Sequence, residues 1–324
     1  MLKLRFRWTS ESEPGCHWQA LFRRAWPAYR AWFLREGDRA RPALSVCRAR
    51  LAEHMPELVP VWERLCSLAE GEGPVARMLS LYRPTPYVSG CTQVVRVRPT
   101  PVLVRNYDYH PHACEATFVR TRWLGTDVLA ASDCLWGVLD GINEHGLAVA
   151  LSFGGSREVG DGFGIPLILR YVLESCATVA EACATLGRVP SHMAYNVSLV
   201  DRKGAYRVAY LRPGARAEFV RQAVATNHQR RIEWPEYVAA TWSEERKRSA
   251  RTALRAAADT SDLVARFLEA PLFATDYPGW HGTLYTAAYS PLEGAAEVHW
   301  PGAAVRQALD DFTEREFDVP YHTR

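Results

Sequence analysis

The spacing of apolar residues changes character once along the chain, near residue 83. Ahead of that point the period is helical. Trp18, Leu21, Phe22, Ala25 and Trp26 recur three and four residues apart, as do Leu58, Val61, Trp62 and Leu65. Glycine is scarce there and β-branched runs are absent, so residues 15–80 read as helices. The next stretch, RPTPYVSGC (residues 83–91), is rich in turn formers, and beyond it the period falls to two. The clearest strands are TQVVRVR, PVLVRN, ATFVRTRWL, LAVALSF, YNVSLVD, AYRVAYL and EFVRQAVAT, followed near the end by TLYTAAY and AAEVHW. Short turns at Asp201-Arg202-Lys203-Gly204 and at Ser290-Pro291-Leu292-Glu293-Gly294 join antiparallel partners, because a parallel pair needs a crossover. Helical blocks at residues 165–186 and 244–268 separate the strand groups. Hairpins in place of crossovers argue against a doubly wound parallel sheet. The order predicts an α+β fold in which two antiparallel sheets lie between outer helical layers.

Composition narrows the function classes. Of 324 residues 48% are apolar and 23% charged, the values of an ordinary soluble globular protein. The formal charge of +3 is small, and only three lysines occur, Lys3, Lys203 and Lys247. The basic residues form no patch. The one dense run, SEERKRSARTAL (residues 243–254), mixes both signs at helical spacing and reads as a solvated helix face. A nucleic-acid partner is therefore not expected. No apolar run has the length of a signal peptide or a membrane span, so no membrane association is expected and the default location is the cytoplasm. The eight cysteines form no C-x-x-C pair and no zinc framework, and apart from Cys91 they read as small buried apolar residues. His110 and His112 lack a partnering carboxylate cluster. No metal or organic cofactor is expected.

Cys91 stands where helical sequence gives way to strands, in the context Ser89-Gly90-Cys91-Thr92. Gly90 permits a close backbone approach. The following strand ends in Arg105-Asn106-Tyr107-Asp108, and pairing of the two strands brings Arg105 and Asp108 back toward Cys91. A cationic neighbour favours thiolate over thiol, and a carboxylate can orient an amine or a leaving-group proton. On spacing alone, a surface Arg–Asp pair at a strand end remains an equally open reading.

These residues carry a resemblance. Cys91 in G-C-T followed by R-N-x-D resembles the N-terminal-nucleophile hydrolases, in particular the peptidase C45 branch of acyl-coenzyme A:isopenicillin N acyltransferases, and more distantly bile-salt and penicillin V hydrolases. Asp140 to Leu147 (DGINEHGL) is similar to a turn of that superfamily. Val224-Ala225-Thr226-Asn227-His228 is similar to its T-N-H segment, whose asparagine helps form the oxyanion hole. Tyr195-Asn196-Val197 with Asp201 and Gly204 resembles the preceding hairpin, and residues 283–302 resemble the closing one. The resemblance implies an αββα sandwich. It implies a precursor in which Cys91 attacks the Gly90 carbonyl and becomes a new N-terminus whose α-amine serves as base. Residues 1–90 would then be a helical pro-segment and residues 91–324 the catalytic domain. Cys91, Arg105, Asp108 and Asn227 would be catalytic, with Tyr107, Ser152, His228 and Thr283 at the substrate, and His281 as a further wall residue. The substrate would be a small-molecule or peptide amide, with an acyl donor if the enzyme is a transferase; a homo-oligomer is left open. The sequence departs from the pattern in three places, the first at Leu151-Ser152-Phe153, where bile-salt hydrolases carry an asparagine and Ser152 would be the substitute. Gln93 follows Thr92 where many relatives have a second threonine, and an arginine that the hydrolases carry late in the chain has no counterpart near Thr283. Two alternatives stand beside this reading: an unprocessed cysteine hydrolase with residues 1–90 as a permanent lid, and a catalytically silent binding protein.

Overall fold

The computed structural model describes residues 2–71, 73–277 and 281–321, the side chain of His281 excepted. The chain opens with strand β1 (Leu2–Glu11) and continues through helices α1 (Cys16–Phe33), α2 (Leu44–His54), α3 (Val59–Leu68) and α4 (Pro74–Leu79). A hairpin of β2 (Gly90–Arg96) and β3 (Val102–Tyr109) follows. Next come β4 (Thr117–Thr121), β5 (Val128–Asp133), β6 (Gly137–Asn143) and β7 (Ala148–Phe153), and then α5 (Ile165–Ser175) and α6 (Val179–Arg188). Four strands, β8 (Tyr195–Val200), β9 (Tyr206–Leu211), β10 (Glu218–Val220) and β11 (Val224–Ala225), lead to α7 (Pro235–Ala240), α8 (Ser243–Ala256) and α9 (Thr260–Phe267). The chain closes with β12 (Thr275–Asp276), β13 (His281–Ser290), β14 (Ala295–Trp300), β15 (Ala303–Ala308) and β16 (Arg315–Tyr321).

The strands form two sheets. One has the order β10-β9-β8-β7-β6-β5-β4-β1-β16, the other β11-β2-β3-β13-β14-β15, with β12 on β13. The apolar faces meet in a core that includes Phe118, Tyr285, Trp300 and Val298. Helices α5 and α6 pack on the first sheet, and α8 and α9 on the second. The αββα sandwich expected from the strand pattern is therefore present.

Two strand assignments differ from the sequence reading. EFVRQAVAT is not one strand. Glu218–Val220 extends the first sheet and Val224–Ala225 the second, so the chain crosses the sandwich within it. Residues 2–11, outside the helical pattern, form a strand inside the larger sheet. β1 pairs in parallel with β4 and antiparallel with β16, which has no other neighbour in that sheet. Its alternate residues Phe6 and Trp8 enter the core, where Trp8 stacks on Phe118 (5.2 Å) and Phe317 (5.4 Å) and Phe6 lies edge-on to Trp300 (4.8 Å). Burying aromatic side chains of this size contributes about 1.5–3 kcal/mol each. The first 90 residues are thus woven into the fold: Trp18 Nε1 donates to the Leu135 carbonyl (3.1 Å), and Trp136 Nε1 to that of Leu79 (2.8 Å).

Candidate active site

Cys91 lies at the head of β2, fully buried, with Tyr107 opposite it on β3. The thiol and Arg105 share the face of the sheet that meets the other sheet, since Arg105 pairs with Gln93, two residues beyond Cys91. Arg105 Nη2 donates to Cys91 Sγ at 3.2 Å. Its guanidinium lies over the Tyr107 ring (4.8 Å) and forms a buried ion pair with Asp140, reaching across from β6. Asp140 also accepts from the hydroxyls of Tyr285 (2.8 Å) and Tyr289.

Asp108 is on the opposite face. It is three positions along from Arg105, and alternation along a strand puts such residues on different sides. The alternative reading, a surface Arg105–Asp108 pair, does not hold: the two have other partners and both are buried. Asp108 Oδ1 accepts from the Thr283 hydroxyl (2.7 Å), and Oδ2 from Arg246 Nη1 (3.2 Å). A bulge in β13 makes this possible. Thr283 opposes Asp108 and Tyr285 opposes Tyr107, with Leu284 as the extra residue. In a regular strand Thr283 and Tyr285, two residues apart, would share a face; the bulge at Leu284 lets one serve each side of the sheet.

Arg246 was read in sequence as part of a solvated helix face. That holds for Glu244, Glu245 and Arg248, but Ser243, Arg246, Ala250 and Ala253 form a buried stripe of α8 at helical spacing. Arg246 Nη1 donates to the Cys91 carbonyl (2.6 Å) and the Thr92 hydroxyl (2.8 Å), and Nη2 to Asn227 Oδ1 (2.7 Å). The sequence reading did not single out this arginine as a site residue. The usable signal was the stripe itself, Ser243, Arg246, Ala250 and Ala253, in which an arginine stands among small residues.

Asn227 follows β11 and comes level with Cys91, because Val224 and Ala225 pair with Val94 and Gln93. Its Oδ1 accepts from the Cys91 N–H (2.8 Å) as well as from Arg246. Two donors on one atom fix the amide orientation, leaving Nδ2 to donate to the carbonyls of Ser89 (2.9 Å) and Phe153 (3.3 Å). Tyr237 donates to the same Ser89 oxygen (2.5 Å). Gly155 adopts φ +74°, and a Cβ there would stand 2.5 Å from the Asn227 carbonyl oxygen, so only glycine lets this loop approach.

Three residues expected at the substrate have other partners. Ser152 Oγ donates to the Thr226 carbonyl (2.9 Å), bracing the strand that carries Asn227. Thr283 holds Asp108. His228 faces α8, with Nδ1 at 2.8 Å from Ser243 Oγ and Nε2 at 3.2 Å from Lys247 Nζ; burial, then the charge of Lys247, lowers its pKa to about 4. Tyr107 is buried beneath Arg105, opposite Cys91. The His281 side chain is outside the described residues. Asn143 caps the β6–β7 turn, its Oδ1 accepting from His145 N–H (3.2 Å) and Leu147 N–H (3.0 Å). Asp140 of the same motif was quoted in sequence only as part of that turn, yet it partners Arg105. His110 and His112 form a short turn closed by His112 N–H on His110 Nδ1 (3.3 Å).

Two sheets between helical layers, antiparallel but for the β1–β4 pair, are the fold of the N-terminal-nucleophile hydrolases. The chain belongs to the acyl-coenzyme A:6-aminopenicillanic acid acyl-transferase family, whose model matches residues 96–304, more than half its length and starting just past Cys91. Among solved structures it is similar to a mutant of the conjugated bile acid hydrolase from Clostridium perfringens, with a TM-score of 0.52 and 11% identity over 72% of this chain and 98% of that one. The penicillin V acylase from Agrobacterium tumefaciens aligns at 17% identity over 70% of this chain and 90% of that one, with a TM-score of 0.48. The Caenorhabditis elegans ortholog of N-acylethanolamine-hydrolyzing acid amidase aligns at 15% identity over 71% and 100%, with a TM-score of 0.47. A comparison with curated proteins gives no match.

Proposed function

We propose that this chain is a cysteine amide hydrolase or acyltransferase, made as a precursor and cut between Gly90 and Cys91. The observation that carries the reading is the double hold on Cys91: Arg105 on its sulfur and Asn227 on its N–H. In the first reaction Sγ attacks the Gly90 carbonyl carbon. The C–N bond breaks, the nitrogen leaves as the Cys91 amine, and Gly90 is carried as a thioester. Water resolves the thioester and releases the Gly90 carboxylate. The freed α-amine, ordinarily near pKa 7.7–8.0, then serves as base for the adjacent thiol.

In the second reaction the same thiol attacks a small-molecule or peptide amide. Departure of Ser89 frees Asn227 Nδ2 for the developing oxyanion. Asp108, held by Thr283 and Arg246, orients the amine. Water resolves the acyl-enzyme in a hydrolase, an acceptor amine in a transferase. The eight unpaired cysteines support a reducing compartment, in this reading the cytoplasm. The lid alternative draws support from β1, which ties the leading segment into the sheet. Full burial of Cys91 in the uncut chain favours cleavage, since a permanent lid would leave substrate no path to the thiol.

Intact mass decides between them. Purified protein, 36.5 kDa as one chain, should appear as two pieces of roughly 10 and 26 kDa that copurify, because β1 and the helices stay packed. Cys91→Ala should remain one chain and lack turnover. A full-length mass for the unmutated protein after long incubation would sink the precursor reading and leave the lid.

A further inference from the structure

The thiol that would attack Gly90 is the one that would attack the substrate. The chain on the acyl side of Gly90 therefore marks where a substrate's acyl group runs, an argument that rests on the cleavage reading above. β2 and β3 are antiparallel with Gly90 opposite Asp108, so the residues before Gly90 continue past Tyr109. Tyr107 and Tyr109 follow Arg105 at two-residue steps and share the face of the thiol. Their rings stack at 5.7 Å.

Tyr87 is seated there. Its ring centre is 6.5 Å from that of Tyr109 and 5.9 Å from that of Trp32 in α1, and its hydroxyl donates to Asp133 Oδ2 at 3.4 Å. Beside it opens a cavity of about 380 Å³ with walls that include Tyr29, Trp32, Tyr87 and Tyr109 and with Glu115 and Asp133 at the polar end. The two acids are not equally satisfied. Glu115 accepts three bonds of 2.6 Å, from Tyr29, Ser132 and the Leu135 N–H. Asp133 Oδ2 lies 3.4 Å from both the Tyr87 hydroxyl and the Cys134 thiol, and its Oδ1 3.4 Å from the Tyr29 hydroxyl, whose proton goes to Glu115. Burial, then the charge of Glu115, raises the Asp133 pKa. Cys134 and Leu135, directly after it, hold φ of +54° and +74°, which is uncommon for residues other than glycine and marks a constrained turn.

We propose that this cavity is the acyl-side subsite and takes an acyl group ending in a phenol-type aromatic ring, whose hydroxyl donates to Asp133 in place of that of Tyr87. Tyr87 is three positions before Gly90, so the acyl group spans roughly 10 Å at about 3.3 Å per residue. Cleavage leaves residues 84–90 tethered at one end, and a substrate ring replaces the Tyr87 ring. Trp32 and Tyr29 come from the leading segment, so that segment is a wall of the mature subsite.

The test compares kcat/KM of the cut protein on the para-nitroanilides of para-hydroxyphenylpentanoic, phenylpentanoic, hexanoic and aminohexanoic acids. The hydroxyl should favour the first over the second by up to about tenfold, the scale of one hydrogen bond, and both aryl groups should exceed hexanoyl. Asp133→Asn should shrink the hydroxyl preference, read as the ratio of kcat/KM for the first substrate to that for the second in the same variant. Trp32→Leu, at a half-exposed wall, should weaken both aryl substrates relative to hexanoyl and serves if Asp133→Asn does not fold. Equal rates for aryl and hexanoyl groups, a preference for aminohexanoyl, or an unchanged ranking in the folded variants would overturn the assignment. If the chain is cut but no anilide turns over, protection of Cys91 from iodoacetamide decides. Protection by para-hydroxyphenylpentanoate and not by hexanoate supports the subsite; protection by neither removes it. An uncut chain by mass removes the parent reading and this one with it.

Discussion

Two arginines reach Cys91 from opposite faces of one sheet, and they hold different atoms. From the inner face Arg105 donates to the sulfur and is neutralised by Asp140. From the helix face Arg246 donates to the Cys91 carbonyl, the Thr92 hydroxyl and Asn227 Oδ1, and is neutralised by Asp108. In the proposed reaction the inner pair would set the electrostatics of the Cys91 thiol. The outer pair would set main-chain geometry at the Gly90–Cys91 bond and the aim of the asparagine. Removing either arginine leaves a buried carboxylate without its cation, but the two losses should differ in kind.

The largest effect is expected on the helix face. Arg246→Met leaves Asp108 unpaired and takes donors from three oxygens at once, which should cost about 3–5 kcal/mol in denaturant unfolding and stop cleavage. Asp108→Asn keeps the shape and removes the charge; cleavage and turnover should both fall. Normal cleavage and turnover in Asp108→Asn would reduce the outer pair to a structural strut. Next comes Asn227→Ala. Loss of an oxyanion donor typically lowers kcat by about 10²–10³, and KM should change little, because the interaction belongs to the transition state. A change confined to KM would reassign Asn227 to ground-state binding.

On the inner face the expected readout is thiol chemistry. Arg105→Met should slow iodoacetamide labelling of Cys91 in the cut protein at neutral pH by about tenfold, because the sulfur loses its cationic donor. Arg246→Met, if it folds, should slow labelling less. Equal labelling rates in the two variants would erase the distinction between the faces.

The same comparison explains what the sequence could and could not reveal. Cys91, Arg105 and Asp108 come together because β2 and β3 form a hairpin, and Asn227 joins them through the pairing of β11 with β2. Their pairing was not legible. A motif written R-N-Y-D places Arg105 and Asp108 side by side in text, while the two-residue alternation of a strand sends them to opposite faces. The true partners are distant in sequence: Asp140 comes from the other sheet and Arg246 from a helix. β1 escaped notice for a related reason. Lys3, Arg5 and Arg7 alternate with Leu4, Phe6 and Trp8 in a proper strand pattern, but it stands alone before four helices, and its partners β4 and β16 lie more than a hundred residues away.

The smallest effect should come from the network that ties Asn227 to α8. Lys247 Nζ donates to His228 Nε2 (3.2 Å), so the imidazole proton is on Nδ1 and goes to Ser243 Oγ (2.8 Å). Ser243 Oγ also accepts the Asn227 N–H (2.8 Å) and donates to Thr226 Oγ1 (3.1 Å). Burial, then Arg251, lowers the Lys247 pKa from 10.5 to about 8, against the nearby charge of Glu244. A base whose folded pKa is depressed binds fewer protons in the folded than in the unfolded protein between the two values. Its contribution to stability is therefore present in full above pH 10.5 and is lost as pH falls toward about 8. The denaturant midpoint of the unmutated protein should accordingly rise between these limits relative to Lys247→Met, which has no such group. His228→Gln should remove a second slope on the acid side, between pH 6.5 and about 4, where the depressed imidazole loses stability on protonation. Turnover should change by less than about threefold in both variants, since the network pins the Asn227 main chain and leaves its amide to Arg246 and Cys91. A midpoint that runs parallel to that of Lys247→Met across the alkaline window would show that Lys247 keeps its ordinary pKa and that the bond to His228 does not confine it.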